Sequence, residues 1–316
     1  MILSTSMEIA INAVLTIVGI VMLCIGGHYL VDGGVSIAKK LGISKLIIGM
    51  TVVAYGTSTP ELAASIAAAG EHSAIILGNV IGSNIANVGM VVGIAAIIAP
   101  LVINKITIRK EVPIMIGVSL LLIALSIDGE ISQYDGILLI VSLIIFTVFI
   151  YRDIKKQRVN NVDESIQKKN IYPRSIGFIA IGIALLYFGA ILTIDNAVIL
   201  AESFGLSERI IGITVIAIGT SLPELITSII AIRKGHTDIG IGNIIGSNIY
   251  NILMIMGIGA TIAGITVVSE VFVDYAVMIG FALVLFIVMK TGLITRPIGI
   301  GLIIAYFVYL VATFVF

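Results

Sequence analysis

Apolar residues run along this chain in blocks of about 20, with polar residues gathered between the blocks. A helix needs about 20 apolar residues to cross the hydrocarbon core of a membrane. On that measure ten spans are predicted, at 9–37, 43–68, 73–99, 111–127, 134–151, 175–203, 208–232, 238–264, 271–289 and 297–315. Spans 1 and 6 are long enough to cross at a tilt. The longest polar stretch, Arg152 to Arg174, is only 23 residues and reads as a solvated linker. The pattern is that of an all-α polytopic membrane protein.

Inside the second block lies a polar, helix-breaking sequence, GMTVVAYGTSTPEL at Gly49 to Leu62, which returns as GITVIAIGTSLPEL at Gly212 to Leu225 with ten of fourteen positions identical. A second pair follows: GNVIGSNIANVG at Gly78 to Gly89 and GNIIGSNIYNIL at Gly242 to Leu253. The offsets are 163 and 164 residues, so a single inserted residue separates the two halves between these motifs. Five spans per half is an odd number, and the second half must enter the membrane from the opposite side. The expected organisation is two inverted five-helix repeats, 1–151 and 175–316, joined by the linker 152–174. Inverted repeats with interrupted helices in matching positions point to a secondary transporter whose site lies near the midplane.

Charge sets the orientation. Of the 18 Lys and Arg residues, 17 fall in the loops after spans 1, 3, 5, 7 and 9, and only Arg209 lies opposite. By the positive-inside rule those loops are cytoplasmic and both ends of the ten-span region are extracellular, in the plasma membrane. The other side carries Glu71, Asp128, Glu130, Asp135, Glu202, Glu208, Glu270 and Asp274. Composition agrees: 59% of residues are hydrophobic and 11% charged, with mean hydropathy +1.19, where soluble domains carry about 25% charge. The formal net charge of zero gives no sign of a nucleic-acid partner, and the lone Cys24 excludes an intrachain disulfide. The first apolar segment lacks a basic n-region and a small-residue cleavage site, so it reads as a retained helix. No protein partner is evident, and with no Trp the interface anchors are Tyr and Phe.

Glu61 and Glu224 carry the sharpest chemical signal, because a carboxylate inside a span is costly and faces a pathway or a partner. No Lys or Arg lies at comparable depth, so a mobile cation is the expected partner. Pro60 and Pro223 each remove an N–H and free a carbonyl four residues back, near Gly56 and Gly219. Thr57, Ser58, Thr220 and Ser221 add hydroxyls; Ser83, Asn87, Ser247 and Asn251 add further oxygens from the following span. Oxygen donors without His or Cys select Ca²⁺, Na⁺ or a similar hard cation, and Ca²⁺ takes six to eight of them. Each Ser or Thr also has the alternative of bonding back to its own helix. Gly78, Gly82, Gly242 and Gly246 read mainly as close-packing positions. Asn84 and Asn248 point either to the site or to a neighbouring helix. Asp32 and Asp195, again 163 apart, read as capping or interface residues, and His28 as a lone polar residue without a ligand role.

GTSTPE and GTSLPE, followed by GNVIGSNIAN and GNIIGSNIYN, resemble the two alpha-repeats of the cation/calcium exchanger superfamily, above all its prokaryotic sodium/calcium exchanger branch. The resemblance spans the ten-helix layout as well as the motifs. It implies antiport of Ca²⁺ against Na⁺ through one four-site pocket, with spans 1 and 6 sliding against an eight-helix core and no cofactor. It implies Glu61, Glu224, Thr57 and Thr220 as central Ca²⁺ ligands. The carbonyls of Ala54 and Ala217, with Ser58, Ser83, Ser221 and Ser247, would form flanking Na⁺ sites, and Asn87 and Asn251 would complete the middle. Members of the potassium-dependent branch carry Asp at the place of Asn251; Asn here argues against K⁺ cotransport. Two glutamates neutralise one Ca²⁺ or two Na⁺, so a third Na⁺ would leave the site positive. The proton-coupled branch usually carries an Asn-Ala-type sequence ahead of its Glu, which places Ca²⁺/H⁺ exchange second. A channel is disfavoured by the inverted repeat, and an intramembrane enzyme by the want of a His or Lys base in both halves.

Overall fold

The computed structural model of the chain describes residues 2–70, 73–105, 107–160, 172–204 and 217–315, which are almost entirely helical. Glu71, Glu208, Arg209, Lys168, Lys169 and positions 212–216 of the second motif lie outside the described residues.

The first helix, α1 (Ile2–Leu41), stops at Gly42, whose φ of 63° is the left-handed value that ends helices. A short α2 (Lys45–Thr57), entered through Ser44 as N-cap, and α3 (Thr59–Ala68) share the predicted second span. Between them Ser58 has φ −81° and ψ 8°, and Pro60 opens the first turn of α3. The same break returns between α8 (Ala217–Thr220) and α9 (Leu222–Arg233), where Ser221 has φ −87° and ψ 1° ahead of Pro223. The proline that cannot donate is the cause in both. Before the second break come α4 (Ser73–Ile98), α5 (Val112–Leu125), α6 (Gln133–Asn160) and α7 (Tyr172–Ser203); after it come α10 (Thr237–Ala263), α11 (Val271–Met289) and α12 (Arg296–Val315).

Among the described residues, seven helices are long and apolar enough to cross a membrane: α1, α4, α6, α7, α10, α11 and α12. The predicted spans 2 and 7 are divided at their serines, and span 4 is the 14-residue α5, preceded by a wide π-turn at Thr107–Glu111. Centrality separates the seven. The most apolar stretches of α4 and α10 are 78% and 89% buried, against 17–33% for the others, so these two form the middle of the molecule.

The polar linker is shorter than expected, because α6 continues past Tyr151 to Asn160. Lys, Arg and Gln are good helix formers and need no burial to extend a turn already started.

Among the described residues, two miniature sheets tie the loops. β1 (Leu101–Val102) pairs antiparallel with β4 (Leu293–Ile294), and β2 (Glu130–Ile131) with β3 (Ile265–Thr266). Each joins a loop of the first half to one of the second.

α1 lies along α7 in the most extensive helix contact of the fold. Small residues recur every seven positions on both partners: Gly19, Gly26 and Gly33 meet Gly189, Gly182 and Ser175. A Cβ at Gly26 would stand 2.9 Å from the carbonyl oxygen of Gly182, and one at Gly182 2.9 Å from that of Gly26, so the backbones touch. α2 approaches α10 just as closely. A Cβ at Gly242 would lie 2.6 Å from the Leu46 carbonyl, and one at Gly246 2.7 Å from that of Met50. The expected packing role of Gly242 and Gly246 is thus met, whereas most of the segment the duplication sets opposite Gly78 and Gly82 lies outside the described residues.

Candidate cation site

The two breaks bring Glu61 and Glu224 into the first turns of α3 and α9, where the helix N-terminus favours a carboxylate. Both side chains are buried, at 1% and 0% exposure, and they lie within each other's electrostatic reach. Thr57, Ser58, Thr220, Ser221, Ser83, Ser247, Asn87 and Asn251 are buried as well. Asn79, Ser83 and Asn87 recur at i, i+4 and i+8 and share one face of α4, as Asn243, Ser247 and Asn251 share one face of α10. Each helix widens into a π-turn that starts at the last of these, Asn87–Val92 and Asn251–Met256. Such π-bulges collect at functional sites.

Hydrogen bonds run both within and between the halves. Ser58 donates to Glu224 Oε1 at 3.0 Å, and Ser247 donates to the same oxygen at 3.3 Å. Thr57 Oγ1 donates toward Asn243 Oδ1 (3.0 Å) and the Ala54 carbonyl (3.2 Å). That carbonyl also takes the Ser58 N–H, at 3.0 Å. Ala217, in α8, holds the matching place in the second half.

What these bonds leave over is more informative. Among the described residues, seven oxygens of this cluster are buried without a hydrogen-bond partner: both of Glu61, Oε2 of Glu224, the hydroxyls of Ser83 and Ser221, and Oδ1 of Asn87 and Asn251. Buried polar atoms are almost always satisfied, and a concentration of unpartnered oxygens, five of them carboxylate or amide acceptors and two of them hydroxyls, is what a cation would complete.

Two pairs of residues in the arrangement have no place in the sequence reading. Asn79 Nδ2 donates to the Glu61 carbonyl (3.1 Å) and to Ser65 Oγ (3.0 Å); Asn243 Nδ2 repeats this with the Glu224 carbonyl (3.4 Å) and Ser228 Oγ (3.0 Å). Each carboxamide brackets the helix that carries the glutamate. The signal was present, since both asparagines stand one turn ahead of a candidate ligand on the same helix face.

The remaining polar residues sit elsewhere. Asp32 Oδ1 pairs with Lys234 Nζ at 2.6 Å, joining α1 to the loop after α9, so its interface role is a salt bridge. His28 is not alone: Nε2 lies 3.5 Å from Asp32 Oδ2. Lys45 Nζ meets His236 Nδ1 at 3.0 Å beside them, and burial together with the Lys45 charge holds the His236 imidazole below its usual pKa. Asp195 is exposed on α7.

Comparison with known proteins gives a consistent result. The model of a family described as "Sodium/calcium exchanger protein" matches residues 11–152 and again 174–315, one match per half. The inner membrane protein YrbG of Escherichia coli is 38% identical over 78% of this chain and 79% of its own length. The sodium/calcium exchanger MaX1 of Methanosarcina acetivorans is 33% identical over 97% of this chain and 99% of its own. Among solved structures, the sodium-calcium exchanger NCX_Mj soaked with 10 mM Na⁺ and zero Ca²⁺ superposes with a TM-score of 0.85 at 31% identity, covering 96% of this chain and 99% of that one.

Proposed function

This chain belongs to the sodium/calcium exchanger family, whose members are transporters and not enzymes, and from that premise we propose that it exchanges Na⁺ for Ca²⁺ by alternating access, with Glu61 and Glu224 as shared ligands. That it is a cation/Ca²⁺ antiporter follows from the family. The choice of Na⁺ and the ligand set are our reading: the relatives named sodium/calcium exchangers support Na⁺, and the cluster of seven unpartnered oxygens supports the ligand set. Hard cations select oxygen, and Ca²⁺ wants six to eight at about 2.3–2.6 Å. Glu61, Glu224, Thr57 and Thr220 are assigned to the centre. Ser58, Ser83, Ser221, Ser247 and the carbonyls of Ala54 and Ala217 are assigned to the flanks, with Asn87 and Asn251 between. Ca²⁺ and Na⁺ then compete for the same two carboxylates, and only loaded states cross.

The proposed frame is ten spans in two inverted repeats, 1–151 and 175–316, in the plasma membrane, with the basic loops cytoplasmic. Three contacts support it. β1 and β4 join the loops after spans 3 and 9; Lys45 and His236 join those after spans 1 and 7; Lys110 and Asp153 (3.1 Å) join those after spans 3 and 5. Every one of these loops is odd-numbered and basic, as one membrane face requires. β2 and β3 join loops after spans 4 and 8, both even-numbered.

The test is radioactive Ca²⁺ uptake into proteoliposomes with outward Na⁺, outward H⁺ or no gradient, at clamped potential. Uptake that needs internal Na⁺ is expected. Uptake driven by protons alone would replace the reading with Ca²⁺/H⁺ exchange on the same glutamates.

A further inference from the structure

The four asparagines at the centre of the molecule form two crossed pairs. Asn84 Nδ2 donates to the Asn248 carbonyl at 3.2 Å and Asn248 Nδ2 donates to the Asn84 carbonyl at 3.3 Å, a reciprocal brace between α4 and α10. The same amide groups also approach methionine sulfurs, Met278 Sδ at 3.8 Å and Met115 Sδ at 3.6 Å. With both amide nitrogens committed, the two amide oxygens are free to accept, and what they accept is the neighbouring pair. Asn87 Nδ2 donates to Asn248 Oδ1 at 2.9 Å, and Asn251 Nδ2 donates to Asn84 Oδ1 at 3.1 Å.

A carboxamide has two unlike ends. Its oxygen is a cation ligand, whereas its NH₂ presents hydrogens and repels a cation. Nothing in the sequence of Asn87 or Asn251 decides which end enters the pocket. The brace decides it: by taking each Nδ2, Asn248 and Asn84 leave Oδ1 of Asn87 and of Asn251 facing the cluster, buried and without a hydrogen-bond partner. A bond to the opposite repeat supplies the orientation in each case, so neither half can set its own ligand.

We propose that Asn84 and Asn248 are positioning residues for cation binding, which fix the amide orientation of Asn251 and Asn87 and thereby keep the pocket lined by oxygen alone. They touch no ion themselves. The proposal rests on the cation-site reading above, in which Asn87 and Asn251 are ligands.

A double-mutant cycle separates orientation from packing. A carboxylate has no wrong end, so Asn87→Asp presents oxygen whichever way it turns and needs no orienting partner. Ca²⁺ binding to purified protein in detergent and the KM for Ca²⁺ in proteoliposomes are measured for Asn248→Leu in the Asn87 and the Asn87→Asp backgrounds. With Asn87 present, Asn248→Leu is expected to weaken Ca²⁺ binding about tenfold or more, the scale of a lost hydrogen bond at a charged site. With Asn87→Asp that penalty is expected to shrink to within about twofold, the additivity error of such cycles. Should Asn248→Leu fail to assemble, Asn84→Leu with and without Asn251→Asp repeats the cycle in the other half. An equal penalty in both backgrounds would mean packing alone and would overturn the proposal. Exchange that persists in Glu61→Gln and Glu224→Gln would instead overturn the site reading, so the two failures are distinguishable.

Discussion

At the scale of single residues, the proposed function rests on two carboxylates in spans that offer them no basic side chain. Their partners here are hydroxyls: Ser58 and Ser247 both reach Glu224 Oε1, while both oxygens of Glu61 lack a partner among the described residues. On that proposal, charge is the property the site cannot do without. Glu61→Gln and Glu224→Gln keep the shape and remove half of the formal charge, and each is expected to bring Na⁺-dependent Ca²⁺ uptake to background in proteoliposomes while the protein still elutes as a folded species. The burial of both glutamates, and of the hydroxyls and amides expected near them, was legible in the sequence because duplication marks them twice. The bracket of Asn79 and Asn243 and the brace of Asn84 and Asn248 were not. Their role lies in which neighbour each amide meets, and that is fixed by how α4 and α10 cross.

At the scale of elements, proline and glycine do most of the shaping. Pro60 and Pro223 were readable as breaks, and the helices divide next to them, at Ser58 and Ser221. Restoring an N–H with Pro60→Ala is expected to favour a continuous helix and to turn Glu61 away from the cluster, seen as a loss of Ca²⁺ affinity with little loss of thermal stability. Gly246 does the opposite kind of work. Its missing Cβ lets α10 touch Met50 and Ala54 of α2, each 2.7 Å from the built Cβ position. Gly246→Val overfills that contact and is expected to destabilise the fold by about 1–3 kcal/mol, read as a lowered melting temperature in detergent. The heptad stripe of small residues joining α1 and α7 escaped the reading of the sequence, which followed the two repeated motifs and not the spacing within the flanking helices. The extension of α6 to Asn160 escaped it for another reason: its polar residues resemble a loop in hydropathy but retain helix propensity.

At the scale of the whole molecule, the two halves are alike but not identical, and the difference has a place. The extra residue of the second half falls between Leu225 and Gly242, a stretch containing Lys234, which pairs with Asp32 on α1. The pair is partly exposed, 41% at Asp32 and 24% at Lys234, and such pairs contribute up to about 1 kcal/mol. Under the proposed alternating access, a contact holding α1 against the core on the basic face is expected to shift the balance between inward- and outward-facing forms by up to about fivefold. The reporter is a cysteine at Thr227, whose Oγ1 would lie 3.2 Å from a Cβ on Gly27 of α1. With Cys24 replaced by Ser, Lys234→Met is expected to speed its labelling from the basic side by up to about that factor. Labelling left unchanged by the substitution would remove the ion pair from the gating balance.

The strand pairings have one more consequence. β1 finds its mate in β4 and β2 in β3, α1 lies on α7, and α2 on α10. The units that repeat in the sequence are therefore not the units that fold, for each keeps its closest companions in the other. Cut between α6 and α7, the polypeptide would yield two pieces that behave like the strands of a zip: each a substrate for proteolysis when made alone, both recovered as one working exchanger when made together in the same cell.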